Sequence, residues 1–227
     1  MTEFMSDALV ISILQIIAID IILGGDNAII IALACRDLPE HQKKMGILWG
    51  TAGAIILRVI LVFFATTLLT VPGLKLIGGL LLLWIGIKLL IENGGETDHK
   101  VNSSQGLMTA IRTIVIADFV MSLDNSIAIA AAAKGNMYLV VFGLLLSVPI
   151  IIAGSALILK LMSRFPIIIS LGAGLLGWLA GDLIVHDPLL ENFLTSHLPY
   201  ADLVMAGGLA GVVILVGQTL ASRQKAI

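Results

Sequence analysis

IDIILGGDNAIIIAL, residues 19–33, and ADFVMSLDNSIAIAA, residues 117–131, are the two stretches that decide the fold. Asp20, Asp26 and Asn27 of the first superpose on Asp118, Asp124 and Asn125 of the second at a constant offset of 98 residues. Further on, Gly78 and Trp84 match Gly172 and Trp178 at an offset of 94. The short Lys134–Asn136 connection, set against the longer Arg36–Met45 segment, absorbs the difference. Two apolar helices share Ile, Leu and Ala by chance, but chance does not supply a second Asp-x5-Asp-Asn. The chain therefore reads as two copies of one unit, about 9–91 and 107–186, joined by a polar linker at 92–105. An additional segment follows at 201–221, and the whole of 1–227 forms a single transmembrane domain.

Composition places those copies in a membrane. Hydrophobic residues make up 59% and charged residues 12%, with a mean hydropathy of +1.08; a soluble domain has about 45–50% and about 25%. A net charge of −2 leaves no basic footprint, so nucleic acid is not an expected partner. Cys35 is the only cysteine, which removes disulfide frameworks and Cys-x-x-Cys metal sites. No GxxxxGK[ST] loop is present for ATP hydrolysis.

Runs of about 20 apolar residues span about 30 Å of hydrocarbon as helices. Seven are expected, near 9–34, 46–70, 73–91, 107–133, 137–159, 166–186 and 201–221. No alternating pattern suggests a barrel, so the class is an all-α polytopic membrane protein. The first run follows Glu3 and Asp7 and is too long for a signal peptide, so it should remain in the mature chain. Arg36, Lys43 and Lys44, then Lys88, Lys100 and Arg112, then Lys160 and Arg164, then Arg223 and Lys225 flank alternate ends of the spans. The opposite ends carry only Lys75 and Lys134, which sets the N-terminus outside and the C-terminus in the cytoplasm of a bacterial plasma membrane. Each copy holds three spans, an odd number, so the second must run through the bilayer inverted. Inverted repeats of this kind place a transport site near the midplane.

A carboxylate at the centre of a membrane helix costs about 2.5–3.5 kcal/mol. Asp20, Asp26, Asp118 and Asp124 together cost on the order of 10 kcal/mol, comparable with the stability of a domain. Arg58 is the one basic residue in mid-span, and one charge does not neutralise four acids. A bound cation, protonation or further pairing must supply the balance. Asp26 lies ~9 Å from Asp20 along the helix and points about 120° away, with Asp124 displaced oppositely from Asp118. One ion collects both acids of a helix only if the backbone deforms, and Gly24-Gly25 is where deformation is expected. Close helix packing through the same two glycines is the alternative use. The second copy has Ser122-Leu123 there, so the break need not be symmetric.

Carboxylate and carboxamide oxygens suit hard divalent ions such as Mn²⁺, Mg²⁺ or Ca²⁺ better than Zn²⁺ or Cu⁺. Met121 offers a thioether that would favour Mn²⁺, although a methionine in a core is the commoner case. Asp182 stands where the first copy has Lys88 and either lines an exit vestibule or is solvated. Trp84 and Trp178 read as interfacial anchors. His41, His99, His186 and His197 read as unclustered and solvated.

The paired motifs Gly25-Asp26-Asn27 and Leu123-Asp124-Asn125, each with an Asp six residues upstream of its second Asp, resemble the TerC family of membrane proteins, above all its short seven-helix members. The resemblance runs over about residues 9–221. It implies metal transport: members are associated with manganese efflux, tellurium resistance and supply of manganese to exported proteins. Carried over, it implies that Asp20, Asp26, Asn27, Asp118, Asp124 and Asn125 form an ion path. Gly24, Gly25, Arg58, Met121 and Asp182 are further candidates for ligation or gating. The residues themselves indicate a divalent cation, and manganese comes chiefly from the family. The expected function is export of Mn²⁺ as substrate, with protons as coupling ion on the same carboxylates and no tightly bound cofactor or enzymatic activity. Two other readings stand beside it. An exporter of a small organic cation or amino acid lacks an aromatic cage, with 5% aromatic residues. An intramembrane aspartyl protease would need a GxGD element, whose first glycine is replaced here by Leu23.

Overall fold

Long apolar stretches satisfy their backbone polar groups internally only as helices when no water is at hand. The computed structural model describes residues 2–68, 71–92, 103–134 and 136–225. The linker at 92–105, with His99 and Lys100, lies mostly outside the described residues. Among the described residues there are nine helices and no strand. They are α1 (Thr2–Leu23), α2 (Gly25–Cys35), α3 (Glu40–Leu68), α4 (Leu74–Glu92), α5 (Ser103–Ala132), α6 (Met137–Arg164), α7 (Ile167–Val185), α8 (Glu191–His197) and α9 (Ala201–Lys225). Six are long and apolar enough to cross a bilayer. A seventh span results if α1 and α2 count as one, bent by 51° where they meet. The break falls at Gly24, where deformation was expected, whereas α5 runs unbroken through Ser122-Leu123. The short α8 was not expected, because its seven residues carry no apolar run.

The helices pack as two groups. One holds α1, α2, α3, α5 and α6, with α3 along α5 and α6 along both α1 and α2. The other holds α4, α7 and α9, each packed against the other two, with α7 the most extensively covered. Contacts between the groups are sparser and run chiefly through α4 with α5 and α7 with α2 and α6. The α7–α9 seam brings backbones together: a Cβ on Gly181 would fall 2.5 Å from Ala206 Cα, so only glycine permits this approach.

Within the first group the buried apolar residues form two separate plugs. Ile31, Cys35, Ile47, Ala110 and Ile114 make one, and Ile16, Val62, Ile129, Val140 and Leu144 the other. Ile47 and Val62 are 15 residues apart on α3, about 22 Å along the axis. A polar layer centred on Arg58 lies between them.

α4 is capped at both ends, the C-terminal one by a residue of the first group and the N-terminal one by a residue that follows α7. At its C-terminal end, Arg36 Nη2 donates to the carbonyl of Leu89, one of the last carbonyls of a helix that lack an intrahelical partner. At its N-terminal end, the buried carboxylate of Asp187 accepts from the backbone N–H groups of Gly73 (3.0 Å) and Leu76 (2.9 Å). Both caps match the helix dipole in sign. Burial alone would raise the Asp187 pKa, but the backbone N–H groups of Leu189, Leu76 and Gly73 outweigh it and hold the carboxyl below its ordinary value.

Candidate functional site

Asp20 on α1 and Asp118 on α5 are 2% and 5% exposed and meet on the two sides of Arg58 from α3, itself 3% exposed. Arg58 Nη1 donates to Asp20 Oδ1 and Nη2 to Asp118 Oδ1. Its Nε donates to Ser122 Oγ at 2.9 Å, and that hydroxyl donates on to Asp118 Oδ2 at 3.1 Å. Ser147 of α6 donates its hydroxyl to Asp20 Oδ2. Two acids on one base leave a formal charge of −1 in the layer when both carboxyls are ionised. Desolvating three charges is costly, and the hydroxyls help by satisfying lone pairs the guanidinium does not reach.

The break between α1 and α2 is part of this layer. A Cβ on Gly24 would lie 2.4 Å from Asp20 O, 3.0 Å from Asn27 Nδ2 and 3.5 Å from Arg58 Nη1. Gly24 has φ −109°, an ordinary value, so space and not a left-handed backbone is what requires glycine. Gly25 has nothing within 4 Å of such a Cβ, so only the first of the two glycines is sterically required. Breaking the helix puts Asp26 in the first turn of α2, where free N–H groups favour a negative charge. It also strands the last carbonyls of α1, and Asn125 of α5 donates from Nδ2 to Leu23 O at 3.2 Å.

Asn27 is buried, yet neither its Nδ2 nor its Oδ1 has a hydrogen-bond partner. Asp26 Oδ1 and Thr51 Oγ1 are likewise buried without one. Buried polar atoms are normally paired, so such groups call for a ligand or water. Asn27 and Asp118 are the polar residues lining a small cavity closed otherwise by Ile30, Ile31, Ala54 and Ile114. The space open to water centres is about 10 Å³, room for roughly one molecule.

The four carboxylates do not share one point. Asp20 and Asp118 converge, but Asp26 and Asp124 are displaced from them in opposite directions along their helices. Asp124 is 43% exposed by side chain and pairs with Lys75 of α4 at 2.8 Å, a lysine that the sequence offered only as a charge at a span end. Among the described residues no group of three or more His, Cys, Asp or Glu side chains forms a metal cage. Met121 is packed in the apolar core beside Val120 and Ala117 and does not line the cavity. Asp182 is half-exposed at the end of α7, with Oδ1 3.6 Å from His186 Nδ1. His186, half-exposed, also lies 3.9 Å from Asp202 of α9, so it stands between two acids. Ser147, Lys75 and Asp187 were missed as partners. A serine at position 147 in an otherwise apolar run was the one local signal for the first.

The fold and this layer define a multi-pass integral membrane protein with ionisable groups gathered inside its helix bundle. Comparison with known proteins sharpens the class. The chain belongs to the Integral membrane protein TerC family, whose model matches residues 5–225. It is 48% identical over 187 residues to "Uncharacterized membrane protein YjbE" of Bacillus subtilis, covering 82% of this chain and 85% of that one. It is 25% identical over 206 residues to YkoY of the same organism, covering 81% of this chain and 64% of the relative. A UPF0053 protein of Haemophilus influenzae is 25% identical over 224 residues, covering 91% and 92%. No solved structure matches the chain.

Proposed function

We propose that this protein exports a divalent metal ion, Mn²⁺ above its competitors, through the polar layer, and that protons exchange on the same carboxylates. The observation that carries the reading is Arg58 held between an acid of each sequence copy beside an unpartnered Asn27 carboxamide. Arg58 acts as a tethered cation that keeps the empty site closed. An incoming divalent ion competes with it for Asp118 and Asp20, drawing first on the oxygens that face the cavity. Oxygen donors without histidine or thiolate favour Mn²⁺, Mg²⁺ or Ca²⁺, and family membership supports manganese among them. A cavity sized for one water and lined by no aromatic ring suits a bare ion better than an organic cation or amino acid. No step of this reading is a chemical conversion, so the protein acts as a transporter and not as an enzyme.

The transport reading takes the two sequence copies as inverted repeats within a single transmembrane domain, and the packing supports this. The space a side chain would fill at Gly50 of α3 is occupied by Ile114 of α5, and at Gly143 of α6 by Ile16 of α1. Ile16 and Ile114 stand 98 apart, the offset of the Asp pairs. At the level of helices only, Gly78 of α4 meets Val120 of α5 and its match Gly172 of α7 meets Ile29 of α2; Val120 and Ile29 are not matched positions. Loop charges and bacterial relatives support a bacterial plasma membrane with the N-terminus outside.

The test is uptake into proteoliposomes of purified protein under an imposed pH gradient, with Mn²⁺, Mg²⁺, Ca²⁺ and Zn²⁺ compared. Mn²⁺ flux well above empty liposomes, abolished by Asp118→Asn and by Asp26→Asn, is expected. Equal flux in wild type and Asp118→Asn, or none for all four ions, overturns the assignment.

A further inference from the structure

We propose that Lys75 is a second tethered cation, which closes the outer end of the path by occupying Asp124. This rests on the transport reading and the orientation above.

Lys75 lies in the first turn of α4, and its Nζ sits 2.8 Å from Asp124 Oδ1 on α5. The lysine side chain is only 14% exposed although the carboxylate is 43% exposed, so the ammonium covers the acid from the protein side and leaves its other face uncovered. The pair also crosses the seam between the two helix groups, α4 belonging to one and α5 to the other. Its reach depends on where the first turn of α4 stands. That turn is fixed by Gly73 (φ +84°), a left-handed conformation suited to glycine, and by the carboxylate of Asp187 bonded to the N–H groups of Gly73 and Leu76 on either side of Lys75. Asp187 is thus a positioning residue for the ammonium.

The other copy has no such device. Asp26 is the sequence match of Asp124, and the position that matches Lys75 at the offset of 94 is Ile169, buried and apolar. Among the described residues no ion pair reaches Asp26, and its Oδ1 is buried without a hydrogen-bond partner. The two equivalent acids therefore differ in pairing: the one nearer the cytoplasm, though its Oδ1 is buried, has no ion-pair partner among the described residues, and the outer, more exposed one already holds an ammonium. An ion arriving from the cytoplasm meets a vacant carboxylate, whereas one returning from outside must displace Lys75. The asymmetry makes entry harder from the Lys75 end, as an exporter requires.

Lys75→Gln, Lys75→Arg, Asp124→Asn and the double variant Lys75→Gln/Asp124→Asn test this in oriented proteoliposomes, with Mn²⁺ applied to each face in turn. Lys75→Gln should lower the half-saturating Mn²⁺ concentration at the Lys75 face by roughly two- to five-fold, the range of a partly exposed ion pair, and leave the other face unchanged. Lys75→Arg should behave as wild type, and the gain should vanish in the double variant. A Lys75→Gln variant that shifts neither face, or both equally, overturns the proposal. Mn²⁺ titration of the same variants in detergent, read by thermal stabilisation, separates the two readings. Tighter binding in Lys75→Gln but not in the double variant, without flux in wild type, would sink the transport reading and keep only the competition of Lys75 with a metal ion for Asp124; unchanged binding with unchanged flux would sink this proposal alone.

Discussion

Replacing Arg58 with Gln removes the single positive charge on which Asp20 and Asp118 converge. Both carboxylates are within a few per cent of full burial, so water cannot take over the solvation that the guanidinium supplies. Removing one partner of a buried ion pair costs about 3–5 kcal/mol. At about 2–4 °C per kcal/mol for a chain of this size, the variant should melt ~6–20 °C below wild type. The assay is thermal unfolding in nanodiscs followed by the emission of Trp49, Trp84 and Trp178. Two rescues separate loss of charge balance from loss of packing. Saturating Mn²⁺, at about 100 times its Kd, contributes ~2.7 kcal/mol to whatever it binds. It should recover much of the lost melting temperature in Arg58→Gln, but raise wild type less because Arg58 must first yield. The triple variant Arg58→Gln/Asp20→Asn/Asp118→Asn, which removes the uncompensated acids, should also melt above Arg58→Gln. An Arg58→Gln variant that melts with wild type, or a larger Mn²⁺ shift in wild type than in the variant, would refute the balance of two acids on one base.

Two further outcomes follow from the geometry. Gly24→Ala forces a Cβ to within 2.4 Å of Asp20 O and should cost ~1–3 kcal/mol with loss of flux, whereas Gly25→Ala should be tolerated; equal melting temperatures for the two would be the contrary result. Asp187→Ala should destabilise by ~1–2 kcal/mol at neutral pH through loss of its cap on α4. Because the folded-state pKa of Asp187 lies below its ordinary value, its contribution is present above the unfolded carboxylate pKa and is lost as pH falls through the folded one. The gap between wild type and variant should therefore be constant from pH 8 to about 5 and narrow below about 4; a gap that widens in acid would contradict the assignment.

Much of the fold was legible because its signals are local. Span lengths follow from apolar runs, and the break at Gly24 follows from two adjacent glycines beside an acid. The burial of Asp20 and Asp118 followed from their depth in those runs, and the shortage of positive charge from a count. What could not be read were pairings across long sequence separations. Arg58 meets Asp20 and Asp118 from 38 and 60 residues away, and no periodicity on α3 announces which acids it faces. Lys75 entered the reading only as a charge counted at a span end, and only the position of α5 gives it a partner. Asp187 sits 114 residues from Gly73, and a carboxylate in a loop carries no mark of the helix it will cap. The division of labour among the four aspartates belongs to the same class, since equal sequence motifs acquire unequal neighbours.

The hollow beside Asn27 and Asp118 holds about a single solvent molecule, so under the proposed function it acts as a dehydration filter. A divalent ion cannot enter with its inner coordination sphere of water intact; it must exchange nearly all of those waters for protein oxygens, or the helices must part. Mg²⁺ surrenders its waters reluctantly and insists on octahedral ligation at short distance. The narrowness of the hollow thus discriminates against magnesium by the speed at which an ion can undress, even where the ligand set itself draws little distinction.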